Sequence, residues 1–410
     1  MSTLRKTLIG IVAVFVAFIL IIVVFLVKNA WYSYSLQSSL DPFYISPEEF
    51  SEIPGTLVRF EPLGAEVAGA QAYRMLYVTE DSQGNSVVAA GMAFIPDKKS
   101  ATPRPVLAYA AGTTGQGDEC APSRSANPID YLKNFLPEAI TQGWAVVAPD
   151  EYGVGTEGIQ LYLNKEQEVR DTVYSIRALQ SIPGASAGND FAVYGYSQGG
   201  HTALWTGLLS EQFAPELNLV GVAAVAPAAN LTSIVERQWD EVAGWGIGAD
   251  IVRSWQVLYP NLFDGLLHGA ALINYERLAQ QCTFGSFVEG TIRHDLFKQD
   301  FFSENPAKDP LVAQLLIDQT PTPFPAELPL MLVQGTADQI VLAGPNADLQ
   351  EDWCAAGSTV NALWLGGVDH TKVASMAGPL VTGWIADRFA GRIAPNTCDT
   401  PPPRSLITVQ

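Results

Sequence analysis

The sequence is poor in histidine, in cysteine and in positive charge. Four histidines in 410 residues leave few groups able to move protons near neutral pH. None of them forms a clustered pair, and there is no H-E-x-x-H and no P-loop, so neither a metal nor a cofactor is expected. The four cysteines, Cys120, Cys282, Cys354 and Cys398, lie far apart. That spacing excludes zinc ribbons and dithiol redox centres and predicts two disulfides, with three pairings open. Lysine and arginine number 23 against 42 acidic residues, for a net charge of −19. A surface of that sign is repelled by nucleic acid and by anionic headgroups, which excludes DNA or RNA as a partner. No internal repeat and no long low-complexity run is present.

Apolar side chains, by contrast, make up 48% of the chain, enough for a large core. Residues 8–27 are an unbroken apolar or small run that would span roughly 30 Å as a helix, one hydrocarbon core. Arg5 and Lys6 precede it, so residues 1–7 read as a cytoplasmic stub and everything after the run as extracytoplasmic. A cleaved signal peptide is the alternative. Its apolar region is usually about 7–15 residues long and ends in an A-x-A-like site, whereas Val27-Lys28-Asn29-Ala30 is a poor one. The expectation is therefore an uncleaved transmembrane anchor, with secretion as the alternative. Residues 28–44, and in composition the chain as far as residue 60, read as a tether.

Residues 45–400 read as one domain. Gln71–Thr79 and Val87–Pro96 have strand character and meet at the turn cluster Asp81–Asn85. Pro105–Ala110, Trp144–Ala148, Phe191–Tyr194, Leu219–Val225, Leu330–Gln334 and Val360–Leu365 are short apolar runs of buried-strand type. Between them, helical spacing is predicted over Pro128–Gln142, Lys165–Ser181, His201–Leu209 and Met376–Arg388. Strands alternating with helices predict an α/β domain with a mainly parallel sheet covered on both faces. The alternation stops over residues 230–323, a helical insertion rich in Trp, Leu and Ile. Its apolar side chains, among them Trp245, Ile247, Ile251, Trp255, Leu262 and Phe263, are either the insertion's own core or a wall for an apolar ligand.

Gly195-Tyr196-Ser197-Gln198-Gly199 fits G-x-S-x-G between a strand and a helix. This turn lifts a serine hydroxyl clear of a sheet and sets it at a helix N-terminus, where developing negative charge is stabilised. A hydroxyl is a weak nucleophile at neutral pH, so it needs a general base and an acid to orient that base. His201 lies one turn into the nucleophile's own helix, and His268 and His294 fall inside the insertion. Only His370 follows a predicted strand in a glycine-rich loop, and Asp338 occupies the loop after the preceding strand. The order Ser197, Asp338, His370 is that of α/β-hydrolases. Asp348 and Asp369 are weaker candidates for the acid, and Asp150-Glu151 reads as a post-strand turn. Oxyanion donors are expected from the Gln198 backbone N–H and from the loop Gly112–Gly115, through Thr113 or Thr114.

With these residues assembled, the chain resembles the secretory lipase family of α/β-hydrolases, the fungal lipase A-like group. The resemblance covers roughly residues 45–400. It rests on GTTG…CAPS at Gly112–Ser123, APDEYG at Ala148–Gly153, GYSQGG at Gly195–Gly200, GTADQIV at Gly335–Val341 and GGVDH at Gly366–His370. It implies that the 230–323 insertion is a cap over the site, and that Cys120 pairs with Cys282 and Cys354 with Cys398. It also implies a lipase or esterase acting on lipid or other carboxylic esters without a cofactor. A membrane anchor departs from the secreted pattern.

Overall fold

A computed structural model of the chain describes residues 28, 31 and 35–403. The apolar run at 8–27 lies outside the described residues. Among those described, no helix is long and apolar enough to cross a membrane. The chain divides at Ile45/Ser46 into two units. In the first, residues 35–44 are helical, so part of the expected tether has regular structure.

The second unit is built on a nine-stranded sheet in the order β1-β2-β3-β5-β4-β6-β7-β8-β9. Strands β1 (Leu57–Pro62), β2 (Ala70–Glu80) and β3 (Ser86–Pro96) are antiparallel neighbours. β3 pairs antiparallel with β5 (Ala145–Pro149). From there β4 (Arg104–Ala110), β6 (Ala187–Tyr196), β7 (Asn218–Val225), β8 (Leu330–Gly335) and β9 (Val360–Leu365) continue in parallel. Helices cover both faces, so the central strands are apolar on both sides and appear in the sequence as continuous runs.

Helix α1 (Leu136–Thr141) precedes β5, and α2 (Lys165–Ser181) and α3 (Gln198–Phe213) flank β6. α2 and α3 pack on the face formed by Val106, Val147, Phe191 and Val193. α1 and the final helix, α10 (His370–Phe389), pack on the face formed by Leu107, Val146, Tyr194 and Val225. Between β7 and β8 lie α4 (Leu231–Gln238), α5 (Val242–Leu258), α6 (Gly269–Ala279), α7 (Thr283–Thr291) and α8 (Pro310–Asp318). They enclose a separate core around Trp245, Trp255, Phe263 and Phe301. Helix α9 (Ala343–Ala355) joins β8 to β9.

Two local expectations fail. Residues 57–60, at the end of the stretch whose composition reads as a tether, belong with Glu61 and Pro62 to an edge strand paired with β2. The expected helix Pro128–Gln142 is broken into a 3-10 turn, Pro128–Tyr131, and the six-residue α1. The break lies against the last helix: a Cβ added at Gly378 would come within 2.3 Å of the Asn134 carbonyl oxygen. Close tertiary contact there overrides a local helical pattern.

Candidate active site

Strand β6 delivers Ser197 to a turn with φ 57° and ψ −118°, a backbone conformation that is costly for a residue with a side chain. The surrounding packing holds it there. The Ser197 N–H donates to the Val225 carbonyl at 2.9 Å. A Cβ at Gly195 would meet the Gly199 carbonyl oxygen at 1.7 Å, and one at Gly199 would meet the Ala110 oxygen at 2.0 Å. Glycine at both positions is therefore a steric requirement of the turn.

His370, the first residue of α10, places Nε2 3.0 Å from Ser197 Oγ and Nδ1 2.7 Å from Asp338 Oδ2. Asp338 is buried after β8, and its Oδ1 accepts the backbone N–H groups of Ile340 and Val341 at 2.9 Å each. Gln334 Nε2 donates to Asp338 Oδ2 at 3.2 Å. Tyr196 donates its hydroxyl to the His370 carbonyl at 2.9 Å, with the two rings 5.0 Å apart. A serine, an imidazole and a carboxylate from three separate loops thus share one line of hydrogen bonds, the arrangement that activates a hydroxyl. Asp369 instead caps α10 through Lys372 N, and Asp348 pairs with Arg237.

The loop after β4 is fastened to the insertion. Thr283 donates its N–H to the Thr114 carbonyl at 3.0 Å and its hydroxyl to the Thr113 carbonyl at 2.8 Å. Gln116 N–H donates to the Ala279 carbonyl at 2.8 Å. The Gln116 side chain bridges Ser254 and Arg253 of α5. Cys120 is disulfide-bonded to Cys282 at the start of α7, across 162 residues, and Cys354 to Cys398 across 44. A Cβ at Gly115 would lie 2.1 Å from the Gln281 oxygen, so this loop is sandwiched against insertion backbone.

Ser197 and His370 open into a cavity of about 520 Å³ that also takes in Gly112 and Thr113. Its floor is the aromatic cluster Tyr109, Phe135 and Tyr194, with ring centroids 4.7–5.2 Å apart. Ile247, Phe284 and Phe287 of the insertion form the opposite wall, and Asp130 is the lone acidic residue of the lining. Thr114 lines a different, small space behind the loop, with Glu151 and Gln198. Of the insertion residues singled out by composition, Trp245, Trp255, Leu262 and Phe263 are buried in its own core, and Ile247 alone reaches the cavity.

Sequence reasoning missed the aromatic floor and the α7 phenylalanines. Tyr194 and Tyr196, two apart on β6, signal one strand face ending beside Ser197, and the alternation of a strand could have pointed to them. Asp150 and Glu151 directly follow β5, and both are buried. Asp150, buried, accepts from the N–H and hydroxyl of Ser123, and burial pushes its carboxyl up to about 7. Glu151, at φ 71°, accepts from Gln160 Nε2 at 2.5 Å and Gln198 Nε2 at 3.0 Å. Burial, followed by the nearby Glu168, holds its carboxyl well above the usual range. His201 is fully buried between Glu168 Oε2 at 2.6 Å and the Gln319 carbonyl at 2.7 Å. These groups brace the start of α3 from behind. Among the described residues no cluster of His, Cys, Asp or Glu could hold a metal ion.

A probable inactive lipase of Mycobacterium tuberculosis is 24% identical, over 87% of this chain and 83% of its own length. A secreted triacylglycerol lipase of Malassezia globosa is 25% identical, over 87% and 82%. The structure superposes on Candida antarctica lipase A with a TM-score of 0.70 at 20% identity, covering 88% of each chain. It superposes on a rice cell wall degrading esterase of Xanthomonas oryzae with a TM-score of 0.66 at 20% identity, covering 80% and 95%. These likenesses identify the fold as α/β-hydrolase-like. The model of one family, Secretory lipase, matches residues 125–397, a span from the loop ahead of α1 to the turn after α10, and this chain belongs to that family.

Proposed function

We propose that the protein hydrolyses carboxylic esters of acyl lipids through an acyl-enzyme on Ser197. His370 Nε2 takes the serine proton as Oγ attacks the ester carbonyl carbon. The carbon–oxygen bond to the alcohol then breaks, and His370 returns that proton to the departing oxygen. Water repeats the sequence on the acyl-enzyme, releasing the acid and restoring Ser197. Asp338 holds the imidazole tautomer and favours its charged form. The Gln198 backbone N–H, at the first turn of α3, and Thr113 serve the oxyanion.

The observation that carries this reading is the hydrogen-bonded line Ser197–His370–Asp338 opening into an apolar, aromatic-floored cavity. An acyl chain suits such walls, and an anionic or strongly polar ligand does not. The exposed apolar residues of α7 and the turn after it, Phe284, Val288, Ile292 and Leu296, recur every fourth position on one helix face. They continue the cavity wall outward, as an emulsified or membrane-borne ester would require.

A second reading has one observation in its favour, the relative described as a probable inactive lipase. On that reading the fold is a binding domain without turnover. A fluorophosphonate probe decides between them. Labelling at Ser197, with turnover of p-nitrophenyl esters abolished in Ser197→Ala, supports the enzyme. An unlabelled, inactive wild type supports the silent domain. Faster cleavage of aminoacyl amides than of acyl esters would instead make the protein a peptidase on the same scaffold.

Residues 8–27 are proposed to anchor the catalytic domain outside the cytoplasmic membrane, and the length and flanking charge of the run support this. N-terminal sequencing of the mature protein tests it, since a start beyond residue 27 would make the enzyme a secreted one.

A further inference from the structure

We infer that Tyr162 is a positioning residue for this reaction: its hydroxyl, 2.7 Å from Thr113 Oγ1, fixes the threonine hydroxyl as a side-chain oxyanion donor. The inference rests on the reading of Ser197 as the nucleophile and adds to it a residue from outside the triad and its loops.

Tyr162 is 2% exposed and belongs to the core of the insertion, beside Trp255 and Leu231. Its backbone is held at both ends by α5. Tyr162 N–H donates to Ser254 Oγ at 3.0 Å, and Trp255 Nε1 donates to the Tyr162 carbonyl at 3.0 Å. Ser254 Oγ in turn donates to the Gln160 carbonyl at 2.7 Å. The ring therefore has no freedom to swing, and its oxygen is delivered to one place.

That place is Thr113, which shares the cavity wall with Gly112, Ser197 and His370. A hydroxyl pair can be ordered two ways, and the surroundings choose. Burial, and after it Asp250, hold the phenol well above its ordinary range, so it keeps its proton. A buried O–H must donate, and Thr113 Oγ1 stands within reach as the acceptor. Once it accepts from Tyr162, the threonine's own hydrogen is free to point into the cavity. The Thr113 carbonyl is already taken by the Thr283 hydroxyl, so the residue is clamped on both sides. Thr114 cannot substitute. Its hydroxyl turns to the Gly115 carbonyl at 3.3 Å, and the residue faces the space behind the loop.

The consequence is that one half of the oxyanion hole comes from the first turn of α3, through Gln198, and the other is set by a tyrosine packed into the core of the insertion. The test is the steady-state kinetics of p-nitrophenyl butyrate hydrolysis by Tyr162→Phe, Thr113→Val, Thr113→Ser and the double variant Tyr162→Phe/Thr113→Val, with each fold checked by thermal melting. Removing one oxyanion donor costs about 100-fold in kcat, so Thr113→Val should fall by about that much with KM nearly unchanged. Thr113→Ser, which keeps the hydroxyl, should stay within about 3-fold. Tyr162→Phe should lose about 10-fold in kcat alone. In the double variant the tyrosine change should add nothing to the threonine change, because both remove the same hydrogen bond.

A folded Tyr162→Phe enzyme with wild-type kcat overturns the inference. So does a loss that appears only in KM, or one that multiplies in full on the Thr113→Val background. Those results leave the ester-hydrolase reading standing, because the wild type still turns over. A wild type that neither turns over nor is labelled at Ser197 removes both.

Discussion

In the sheet, Val146, Val147, Phe191, Val193, Leu330 and Leu332 are fully enclosed. In the insertion the large apolar residues divide. Trp245 and Phe301 are sealed inside, while Ile273 and Phe284 are 84% and 83% exposed. The difference follows from layering. A central strand has a helix on each side, so both of its faces must be apolar. The insertion helices share their own small core on one side and expose apolar residues on the other, of which Phe284 lines the cavity. An apolar residue in the sheet reports burial, whereas in the insertion it reports either burial or a ligand-facing surface. Only position along the helix tells which.

The steepest way to break this contrast is a pair of glycine substitutions. Gly199→Ala would drive a Cβ to 2.0 Å from a backbone oxygen at the nucleophile turn. It should yield no folded, active enzyme, as read by expression and near-ultraviolet circular dichroism. Gly285→Ala, on α7, meets only the Gln281 side chain, at 3.6 Å. It should fold normally and gain up to about 1 kcal/mol of helix stability. Equal tolerance at the two sites would show that the turn is not held as tightly as its contacts imply.

Next in size is the covalent link between the two regions. Replacing Cys120 and Cys282 with serine opens a 162-residue loop and should lower stability by roughly 3–5 kcal/mol in a urea titration. It should also lower kcat, because the bond anchors the loop that carries Thr113. Opening the 44-residue loop closed by Cys354–Cys398 should destabilise somewhat less, since closure entropy grows slowly with length, and should leave kcat alone.

Buried acids give a smaller, pH-dependent effect. Asp150 is raised to about 7 and Asp171 to about 6, in both cases by burial against opposing hydrogen bonds. Unfolded aspartate titrates near about 3.9, so between these values the folded state binds more protons. Stability from these groups is therefore fully present below about pH 4 and is lost as pH rises through about 6 to 7. The melting temperature should be higher at pH 5 than at pH 8, and Asp150→Asn should flatten that slope. A slope of the opposite sign would show that these carboxyls are charged in the fold.

The smallest change in stability is expected at the outer surface of the insertion. Phe284→Ser should leave the melt within about 0.5 kcal/mol of wild type. It should nevertheless slow emulsified esters several-fold more than a soluble short-chain ester. Equal slowing of both would make Phe284 part of the cavity only.

Much of this was legible in the residues. The strand–G-x-S-x-G–helix unit announced its turn because Gly195 and Gly199 are sterically required there. His370 stood out because it follows an apolar run in a glycine-rich loop, and Asp338 because it occupies the loop after the preceding strand. Pattern failed where packing overrode it. The helical spacing over 128–142 lost to the close approach of Asn134 to Gly378. Residues 57–60, read by composition with the tether, pair because β2 offers an open edge. Asp150-Glu151 read only as a post-strand turn, since nothing local shows that Ser123, Gln160 and Gln198 will close over it.

By itself the sequence singled out one hydroxyl, one imidazole and one carboxylate as candidates, and a mainly parallel sheet. Those properties depend on residue type and on short-range order along the chain, and both are written there directly. Only the tertiary structure decided which insertion residues face the ligand, that Thr113 and not Thr114 lines the cavity, and that Tyr162 stands behind it. Each of those depends on contacts between segments dozens to well over a hundred residues apart, set by how two cores pack against one loop, and no local pattern encodes them.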